Sequence, residues 1–505
     1  MNQIVINAGT LETRVAVIEQ GRLVELHIER EENPSRVGNI YRGRVENVIP
    51  GMQAAFVDIG LEKNGFLYVS DISEGVQEGD EVELEDGVVR THPKGKIQKD
   101  IQQLLKPGRF ILVQVVKDRL GTKGPRLTTF ITIPGRYAVL LPTVRHIGVS
   151  RKIEDPKERE RLRRILHQVR PNNMGLITRT AGEGRTQEEF ARDVEYLYRE
   201  WQEVLARFEG TSGVGLMRED LRTVLRVVRD EFTQDFNHLL IDNEEEFQRI
   251  LRFLDVFDPR LKRRVRLYKH KQPIFEKMGI EPEIARALRR VVYLKSGAYL
   301  CIDQTEALTA IDVNTGRFVG KRHLEDTVLQ TNLEAAEEIA RQVRLRDIGG
   351  IIVIDFIDME LERNRRKLLQ ALQEALKRDR AKTTLSEVTE LGMIEMTRKR
   401  VKHDLVRTLS QPCPYCEGSG MVRSVTTVTY DVLRRLQSLF CNLREKHIIV
   451  QVHPDVARRL RGENRPHLDA LLEQFKRQVT LESVSDFHIH EVRFLGADTR
   501  RLLTT

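Results

Sequence analysis

Hydrophobic and polar residues alternate with a period of two along the first third of the chain. The alternation is clear in IVIN at residues 4–7 and in VAVIEQGRLVELHIE at residues 15–29. It continues from Gly38 to Ile133 in short runs broken by Gly and Pro. A period of two is typical of strands with one buried face. Short strands at this spacing predict a small β-barrel between residues 36 and 133.

Further along the chain, apolar residues three and four positions apart predict amphipathic helices. These helices cover residues 155–170, 186–209 and 326–346. Between residues 288 and 409, apolar strands alternate with such helices, which predicts a parallel or mixed sheet of the βαβ type. Residues 425–505 predict a small α/β unit. The predicted fold class is therefore multidomain α/β with an inserted β-barrel.

Length and composition agree with a multidomain intracellular protein. The chain has 505 residues, whereas a single core stops growing at roughly 250 to 300 residues. It contains no apolar run long enough to span a bilayer, and its first residues lack a signal-peptide pattern, so we expect a cytoplasmic location. The net charge of +8 favours a polyanionic partner. Charge alone does not identify that partner.

The predicted barrel carries aromatic side chains on its outer face. In the strands QAAFVDIG and GFLYVSDI, alternation directs Phe56, Phe66 and Tyr68 outward. Arg42 and Arg44 share a polar face on the preceding strand. Flat rings for stacking and cations for phosphates are what single-stranded nucleic acid requires. The alternative is that the rings pack against a neighbouring domain.

Two apolar strands of the predicted βαβ segment end in an acid. ALTAIDVNTG ends at Asp312, followed by Asn314 on the same face, and GGIIVIDFID contains Asp355. A helical crossover leaves the carboxyl ends of parallel strands at one edge of the sheet, so Asp312 and Asp355 are expected to converge. Two carboxylates and an amide suit a hard cation such as Mg²⁺, which would serve phosphodiester hydrolysis. The alternative is that each Asp caps a turn or a helix.

One pair of cysteines has the spacing of a metal knuckle. Cys413 and Cys416 lie in CPYCEGSG, while Cys301 and Cys441 have no closely spaced partner. Structural zinc takes four ligands, so two copies of the chain contributing two thiolates each would form a Cys₄ site between protomers. A site within one chain completed by His403 and a redox CxxC are the alternatives. The redox reading is least favoured because no βαβ module is expected beside the pair.

Together these motifs closely resemble the ribonuclease E/G family of bacterial endoribonucleases. The motifs that carry the resemblance are GNIYRGRVENVIPGMQAAFVDIG, IDVNTG, VIDFIDM and CPxCxG, and it extends in order over essentially the whole chain. It implies an S1 barrel of the OB type inserted into an RNase H-like fold, followed by a DNase I-like catalytic subdomain. The implied domains are residues 1–35 and 211–287 (RNase H-like), 36–133 (S1), 134–210 (5′-phosphate sensor), 288–409 (catalytic), 410–424 (zinc link) and 425–505 (small α/β domain).

The resemblance also implies roles for individual residues. Asp312 and Asp355 match the Mg²⁺ ligands, and Asn314 matches the accompanying amide. Cys413 and Cys416 match the zinc thiolates shared between protomers. Phe56 and Phe66 match the aromatic residues that contact RNA, in agreement with their predicted outward faces.

A further implied site is a pocket that senses a 5′-monophosphate on RNA. The matching positions are Gly135, Val139, Arg179, Thr180 and Lys382. A guanidinium and a hydroxyl side by side, as at Arg179 and Thr180, both bond phosphate oxygens. Lys382 stands where ribonuclease E has an arginine, and lysine keeps the charge but not the planar fork.

The resemblance implies a Mg²⁺-dependent endoribonuclease specific for single strands. It is expected to cut AU-rich sites, to prefer 5′-monophosphorylated RNA, and to act on ribosomal RNA precursors and messenger RNAs. A homodimer is expected, with a tetramer left open. Ribonuclease E has a long C-terminal half that anchors to the membrane, whereas this sequence stops at Thr505. We therefore expect the ribonuclease G branch without a membrane anchor; the alternatives are a catalytic core of ribonuclease E and a non-catalytic S1-type RNA-binding factor.

Overall fold

The computed structural model describes most of the chain and divides it into two units. The described residues are 1–32, 34–73, 81–85, 88–92, 100–118, 124–316, 324–389, 392–399, 404–443 and 445–503. The first unit is Met1–Thr408 and the second is Leu409–Thr505. The multidomain α/β class is confirmed.

The strands are described first, because they position the candidate site. In chain order they are β1 (Gln3–Ala8), β2 (Glu12–Glu19), β3 (Arg22–Arg30), β4 (Ile40–Ile49), β5 (Ala54–Asp58), β6 (Gly65–Tyr68), β7 (Glu81–Glu85), β8 (Val88–His92), β9 (Phe110–Lys117), β10 (Arg126–Thr128), β11 (Ile133–Pro134), β12 (Ala138–Leu141), β13 (Ile147–Val149), β14 (Gly175–Thr178), β15 (Gly215–Arg218), β16 (His238–Ile241), β17 (Val265–Leu267), β18 (Val291–Tyr293), β19 (Tyr299–Gln304), β20 (Leu308–Asn314), β21 (Gly350–Asp355), β22 (Thr383–Val388), β23 (Met393–Arg398), β24 (His447–Val452), β25 (Gln478–Ser483) and β26 (Val492–Gly496).

The helices include the three that the sequence predicts. In chain order they are α1 (Ile101–Leu104), α2 (Pro156–Val169), α3 (Gln187–Gly210), α4 (Thr223–Asp230), α5 (Glu244–Phe257), α6 (Ile274–Lys277), α7 (Ile280–Ala287), α8 (Leu324–Leu345), α9 (Glu362–Leu376), α10 (Leu405–Leu409), α11 (Val425–Asn442), α12 (Pro454–Arg461) and α13 (Arg465–Phe475). Asp155 caps α2, and Thr186 with Glu189 forms a capping box on α3. Among the described helices, none has the length and apolar character needed to cross a bilayer.

Strands from both sides of the barrel segment form one five-stranded sheet. Its order is β17-β16-β1-β2-β3, with β1, β2 and β3 antiparallel and β16 and β17 parallel to β1. Apolar residues of α4 and α5 cover it, including Val228 and Ile250, both fully buried. The barrel is therefore an insertion between β3 and β16 in the chain order of this sheet.

The predicted barrel is confirmed. Strands β4, β5, β6, β10 and β9 pair in that order, and β9 pairs back with β4 to close the barrel. Ala55, Val57 and Leu67 are fully buried inside it. Phe56 and Phe66 are half-buried and Tyr68 is exposed, so all three have the predicted outward faces.

The next segment of the first unit, residues 133 to 210, carries a small four-stranded sheet. Its order is β11-β12-β14-β13, and apolar residues of α2 and α3 pack against it. Of the residues predicted for the 5′-phosphate pocket, Val139 lies on β12 of this sheet, Gly135 directly follows β11, and Arg179 and Thr180 directly follow β14.

The segment from residue 288 onward forms a six-stranded mixed sheet. Its order is β18-β19-β20-β21-β23-β22, in which β20 and β21 are parallel and the other pairs are antiparallel. Helix α8 is the crossover between the parallel strands, as predicted. Apolar residues of α8 and α9 cover one face of the sheet, and along β20 and β21 the other face exposes Asp312, Ile351 and Asp355.

The second unit, Leu409–Thr505, is a small α/β unit as predicted. Its sheet has the order β25-β24-β26, with β24 and β25 parallel and joined through α12 and α13. Helix α11 packs its buried residues against this sheet. The βαβ connection corrects the expectation that no such module flanks the cysteine pair. Short apolar runs do not distinguish a buried strand from a helical segment, which is why the sequence missed it.

Strand β21 provides a test of the two faces of the six-stranded sheet. Ile352 is fully buried under α8 and α9, whereas its neighbour Ile351 is 50% exposed on the open face. We expect Ile352→Ala to lower the free energy of unfolding by about 2–5 kcal/mol because it leaves a cavity. Ile351→Ala, the matched control, changes it by at most about 0.5 kcal/mol. Urea titration followed by circular dichroism measures both, and equal losses would contradict this assignment of faces.

Candidate active site and RNA-binding surfaces

The two predicted acids lie side by side on the open face of the six-stranded sheet. In the parallel pairing of β20 with β21, Asp312 is the direct partner of Asp355. Both strands bury their alternate residues, Ile311 and Val313 on β20 and Ile354 on β21. Because successive side chains of a strand point to opposite faces, this burial directs both carboxylates to the exposed face.

The carboxylates form a site of concentrated negative charge. Asn314 Nδ2 donates a 2.7 Å hydrogen bond to Asp312 Oδ2. Partial burial raises the pKa of Asp355, and the charges of Asp312 and Asp358 raise it further. A divalent cation between Asp312 and Asp355 would relieve this repulsion, so the residues fit an oxygen-ligated ion such as Mg²⁺.

The barrel brings its three outward aromatic residues together. The ring centroids of Phe56 and Phe66 are 5.3 Å apart at an interplanar angle of 77°, and those of Phe66 and Tyr68 are 4.4 Å apart at 72°. The pairing of β5 with β6 causes this, because Phe56 and Phe66 are direct partners. The result is a continuous aromatic surface on the outside of the barrel.

The cation beside this surface is one that the sequence analysis missed. The guanidinium carbon of Arg126 lies 5.2 Å from the Tyr68 ring centroid, and Arg126 Nε donates to Asp71 Oδ2 at 2.9 Å. Arg126 is the partner of Phe66 in the parallel pairing of β10 with β6. The sequence signal available for Arg126 was its position directly after Pro125 in a short strand. Local alternation does not predict which strands pair with that strand.

The two arginines predicted from the sequence to bind nucleic acid, Arg42 and Arg44, contact other residues. Arg42 lies between the rings of Phe110 and Phe208, at 4.4 and 5.0 Å from their centroids, and donates to the Phe208 carbonyl at 3.3 Å. Arg44 is exposed and pairs with Glu46, with Nε to Oε1 at 2.8 Å. Arg42 therefore joins the barrel to α3, while a role in RNA binding for either residue stays a prediction.

In the predicted phosphate pocket, Arg179 and Gly135 are in contact. Arg179 Nη1 donates to the Gly135 carbonyl at 2.7 Å and to Asp230 Oδ1 at 2.6 Å. A side chain at Gly135 would come within 2.6 Å of the buried Asp193 carboxylate, which accepts backbone hydrogen bonds from residues 136–138. Burial raises the pKa of Asp230, but Arg229 and Arg179 lower it more strongly, so Asp230 stays ionised.

The other predicted pocket residues are more dispersed. Thr180 Oγ1 lies 3.1 Å from Ser150 Oγ, next to Arg179. Val139 is 2% exposed and packs in an apolar cluster, so its side chain belongs to the core. Lys382 directly precedes β22 of the six-stranded sheet. In the loop before Lys382, the carbonyls of residues 379 and 380 accept hydrogen bonds from Lys152 Nζ at 2.9 and 3.0 Å.

A cavity beside Thr180 is lined by arginine and acidic side chains. It has a volume of about 290 Å³ and is lined by Thr180, Arg136, Arg185 and Asp230 among others. Within the described part of the chain, Arg136 Nη1 and Arg185 Nε are buried and have no hydrogen-bond partner. Three acidic side chains, Glu183, Asp230 and Asp235, line the same cavity as Arg136, Arg185 and Arg229, so binding of an anion there stays a prediction.

The cysteine pair forms a tight turn in the second unit. Gly420 N–H donates to Cys416 Sγ at 3.4 Å, and Ser419 Oγ donates to the Cys416 carbonyl at 2.7 Å. Hydrogen bonds from the backbone of Cys416 and of Tyr415 lower the pKa of the Cys413 thiol. The thiolate is the metal-binding form, so the turn suits a soft cation. His403 lies outside the described residues.

A three-residue cluster that the sequence analysis missed lies on the five-stranded sheet and beside it. Ligand atoms of Glu25, His27 and Glu231 lie within 4.8 Å of one another. Arg344 Nη2 approaches Glu25 at 2.7 Å, and Arg380 Nη1 approaches Glu231 at 3.5 Å. These guanidinium groups neutralise the carboxylates, so the cluster is explained as an ion-pair network.

Comparison with known proteins agrees with the motifs and the geometry. The model of the Ribonuclease E/G family matches residues 132–401, and the model named RNase E/G, Thioredoxin-like domain matches residues 412–495. Ribonuclease G of Escherichia coli strain K12 is 44% identical over 461 residues, which are 91% of this chain and 92% of the relative. Ribonuclease G of Haemophilus influenzae is 42% identical over 94% of each chain.

A match to another branch of the same family covers less of the relative. Ribonuclease E of Haemophilus influenzae is 37% identical over 90% of this chain but over 48% of its own length. The expected likeness to the ribonuclease G branch is thus confirmed. The chain belongs to the ribonuclease E/G family.

Proposed function

We propose that this chain is a Mg²⁺-dependent endoribonuclease of the cytoplasm that hydrolyses single-stranded, AU-rich RNA, including ribosomal RNA precursors and messenger RNAs. The observation that carries the proposal is the direct pairing of Asp312 with Asp355 on the open face of the sheet. The names of the similar proteins support a ribonuclease. The five-stranded sheet supports the RNase H-like assignment, the closed barrel supports the S1 assignment, and the mixed sheet supports the DNase I-like assignment.

In the proposed mechanism, Asp312 and Asp355 would hold the cation, and Asn314 orients Asp312 through the 2.7 Å bond. The ion, when bound, supplies Lewis-acid stabilisation of charge on the phosphodiester and acidifies water. The open sheet face admits a single strand, and the aromatic surface of the barrel supplies stacking positions for its bases. Hydrolysis breaks the P–O3′ bond, adds the elements of water, and leaves a 3′-hydroxyl and a 5′-phosphate.

The 5′ end of the substrate is proposed to bind beside Arg179 and Thr180. The cavity there is lined by Thr180 and by the arginines Arg136, Arg185 and Arg229, whose charges support binding of a monophosphate dianion. Val139 contributes to the core beneath the pocket, and Gly135 provides the carbonyl that fixes Arg179. Lys382 is proposed to act as a supporting charge.

Replacement of Asp355 tests the metal site. We expect Asp355→Asn to lower cleavage of a synthetic single-stranded RNA by roughly a thousandfold, because it removes an anionic ligand from the site that stabilises transition-state charge. Gel mobility shift in the absence of Mg²⁺ is expected to show unchanged RNA affinity. Asp358→Asn, three residues later, is the matched control and is expected to retain most activity.

Survival of cleavage in Asp355→Asn would exclude this metal site. Loss of cleavage in both variants, with RNA binding intact, would instead indicate that the whole loop after β21 matters. Unchanged binding with no cleavage by the wild type at any divalent-ion concentration would favour the alternative, a non-catalytic RNA-binding factor.

Arg179 is the test of 5′-end sensing. With the wild type, we expect faster cleavage of 5′-monophosphorylated RNA than of the same RNA with a 5′-hydroxyl. Arg179→Ala is expected to remove this preference by slowing only the phosphorylated substrate, by about 10- to 100-fold, the scale of a lost charge-assisted hydrogen bond. Arg163→Ala, which removes a half-exposed arginine from α2, is the charge-matched control. Equal slowing of both substrates would contradict a sensing role.

We further propose that Cys413 and Cys416 bind Zn²⁺ together with the same pair of a second protomer. The lowered pKa of Cys413 supports thiolate ligation at neutral pH. Cys413→Ser and a strong chelator are each expected to convert a dimer to a monomer in light scattering, whereas Cys441→Ser, an exposed cysteine outside the turn, leaves the mass unchanged. A dimer that persists after the metal has been removed would rule out the zinc bridge.

A further inference from the structure

Two tyrosines lie on the open face of the six-stranded sheet, in line with the acids. Tyr299 on β19 is the direct partner of Asn314 on β20, and on its other side it is the partner of Tyr293 on β18. One row along, Cys301 is the partner of Asp312. Direct partners point to the same face of a sheet, so the tyrosines share a surface with the proposed metal ligands.

The spacing of the strands sets the distance from the acids to the rings. Neighbouring strands are about 4.8 Å apart, so Tyr299 stands about one strand from Asn314 and Tyr293 about two. The ring centroids of the tyrosines are 6.0 Å apart, with planes tilted by 55°. Tyr293 is 76% exposed, and Tyr299 is half-buried.

Two glycines lie in the turns beside Tyr299. Gly316 follows β20 with a φ of +61°, and a side chain there would come within 3.4 Å of Tyr299 Cδ1 and within 2.5 Å of the Gly297 carbonyl. Gly297 itself turns between β18 and β19 with a φ of +94°. Glycine at these positions lets the two turns approach each other beside the ring.

We propose that Tyr293 and Tyr299 form a stacking platform for a nucleobase that flanks the scissile phosphodiester. The inference rests on the proposed function, because the phosphate is placed at Asp312 and Asp355. Every base has a π-face, so two rings bind a base with little sequence preference and hold the adjacent phosphate in register with the acids. The platform is separate from the aromatic surface of the barrel, which has its own strands and its own cation.

Abasic substitution coupled to mutation provides the test. In a synthetic single-stranded RNA with one mapped cleavage site, each nucleotide within three positions of the cut is replaced in turn by an abasic one. The double variant Tyr293→Ala/Tyr299→Ala is expected to lower kcat/KM on intact RNA roughly 5- to 150-fold, the factor for one lost stacked base. At one position, the abasic RNA is expected to lower the kcat/KM of the wild type by the same factor as the double mutation does on intact RNA. The same abasic RNA is expected to cause no further loss of kcat/KM in the double variant.

The controls separate stacking from structural damage. Tyr293→Phe/Tyr299→Phe keeps the rings and is expected to keep the abasic coupling that the alanine double variant loses. Tyr293→Ala alone removes only the exposed ring of the pair. Tyr198→Ala removes an exposed tyrosine from α3 and is expected to have no effect. Circular dichroism of each variant checks the fold.

Two results would overturn the platform. One is a kcat/KM of the double variant equal to that of the wild type. The other is an abasic loss that, at every position, is as large in the double variant as in the wild type. A different result would contradict the proposed function, namely RNA cleavage by the Asp355→Asn variant. Loss of cleavage in Asp355→Asn together with normal cleavage by the double variant would therefore reject the platform and leave the proposed function standing.

Discussion

The register between β20 and β21 is the constraint on which the candidate active site depends. Their parallel pairing places Asp312 opposite Asp355. A slip of one residue in either strand would turn its carboxylate toward α8 and α9 and expose the isoleucines that now form the core. Burial of Ile311, Ile352 and Ile354 therefore fixes the register, and the register fixes the acids. A pair of like charges is tolerated there because both side chains face outward, where solvent or a cation screens them.

Helix α8 connects this sheet to the rest of the first unit through two different faces. Its apolar face, including Ala335, Ile339 and Val343, packs under the six-stranded sheet. Its other face is polar but buried, and it meets β2 and β3 of the five-stranded sheet: Arg344 Nη2 lies 2.8 Å from Glu19 and 2.7 Å from Glu25. Buried ion pairs add little net stability, yet one partner left alone is costly, so the network specifies the orientation of α8 more than it increases stability. The crossover that sets the register is thus held from both sides.

The sequence predicted those features that local periodicity determines. Period-two alternation gave the outward faces of Phe56, Phe66 and Tyr68, and the strand–helix–strand pattern gave the convergence of Asp312 with Asp355. Alternation does not report which distant element covers a face. Arg42 has the polar face that was predicted, but Phe208, 166 residues away, covers it. Arg126 was missed for the same reason, since its neighbour Tyr68 belongs to β6, which pairs directly with β10 although the two strands are distant in the chain. The βαβ connection of the second unit was missed because its apolar runs are short and ambiguous.

The proposed 5′-phosphate pocket and the acids belong to one connected structure. Lys152, beside the pocket's Ser150–Thr180 contact, donates to the carbonyls of residues 379 and 380. The Asp379 carboxylate accepts from Arg398 Nε at 2.7 Å, and Arg398 Nη1 donates to Asp347 at 2.7 Å, immediately before β21. Asp379 and Arg398 are 4% and 7% exposed, so solvent screens these charge-assisted bonds little. Because β21 ends in Asp355, this chain of contacts joins the segment that carries Ser150 and Thr180 to the strand that carries the acid.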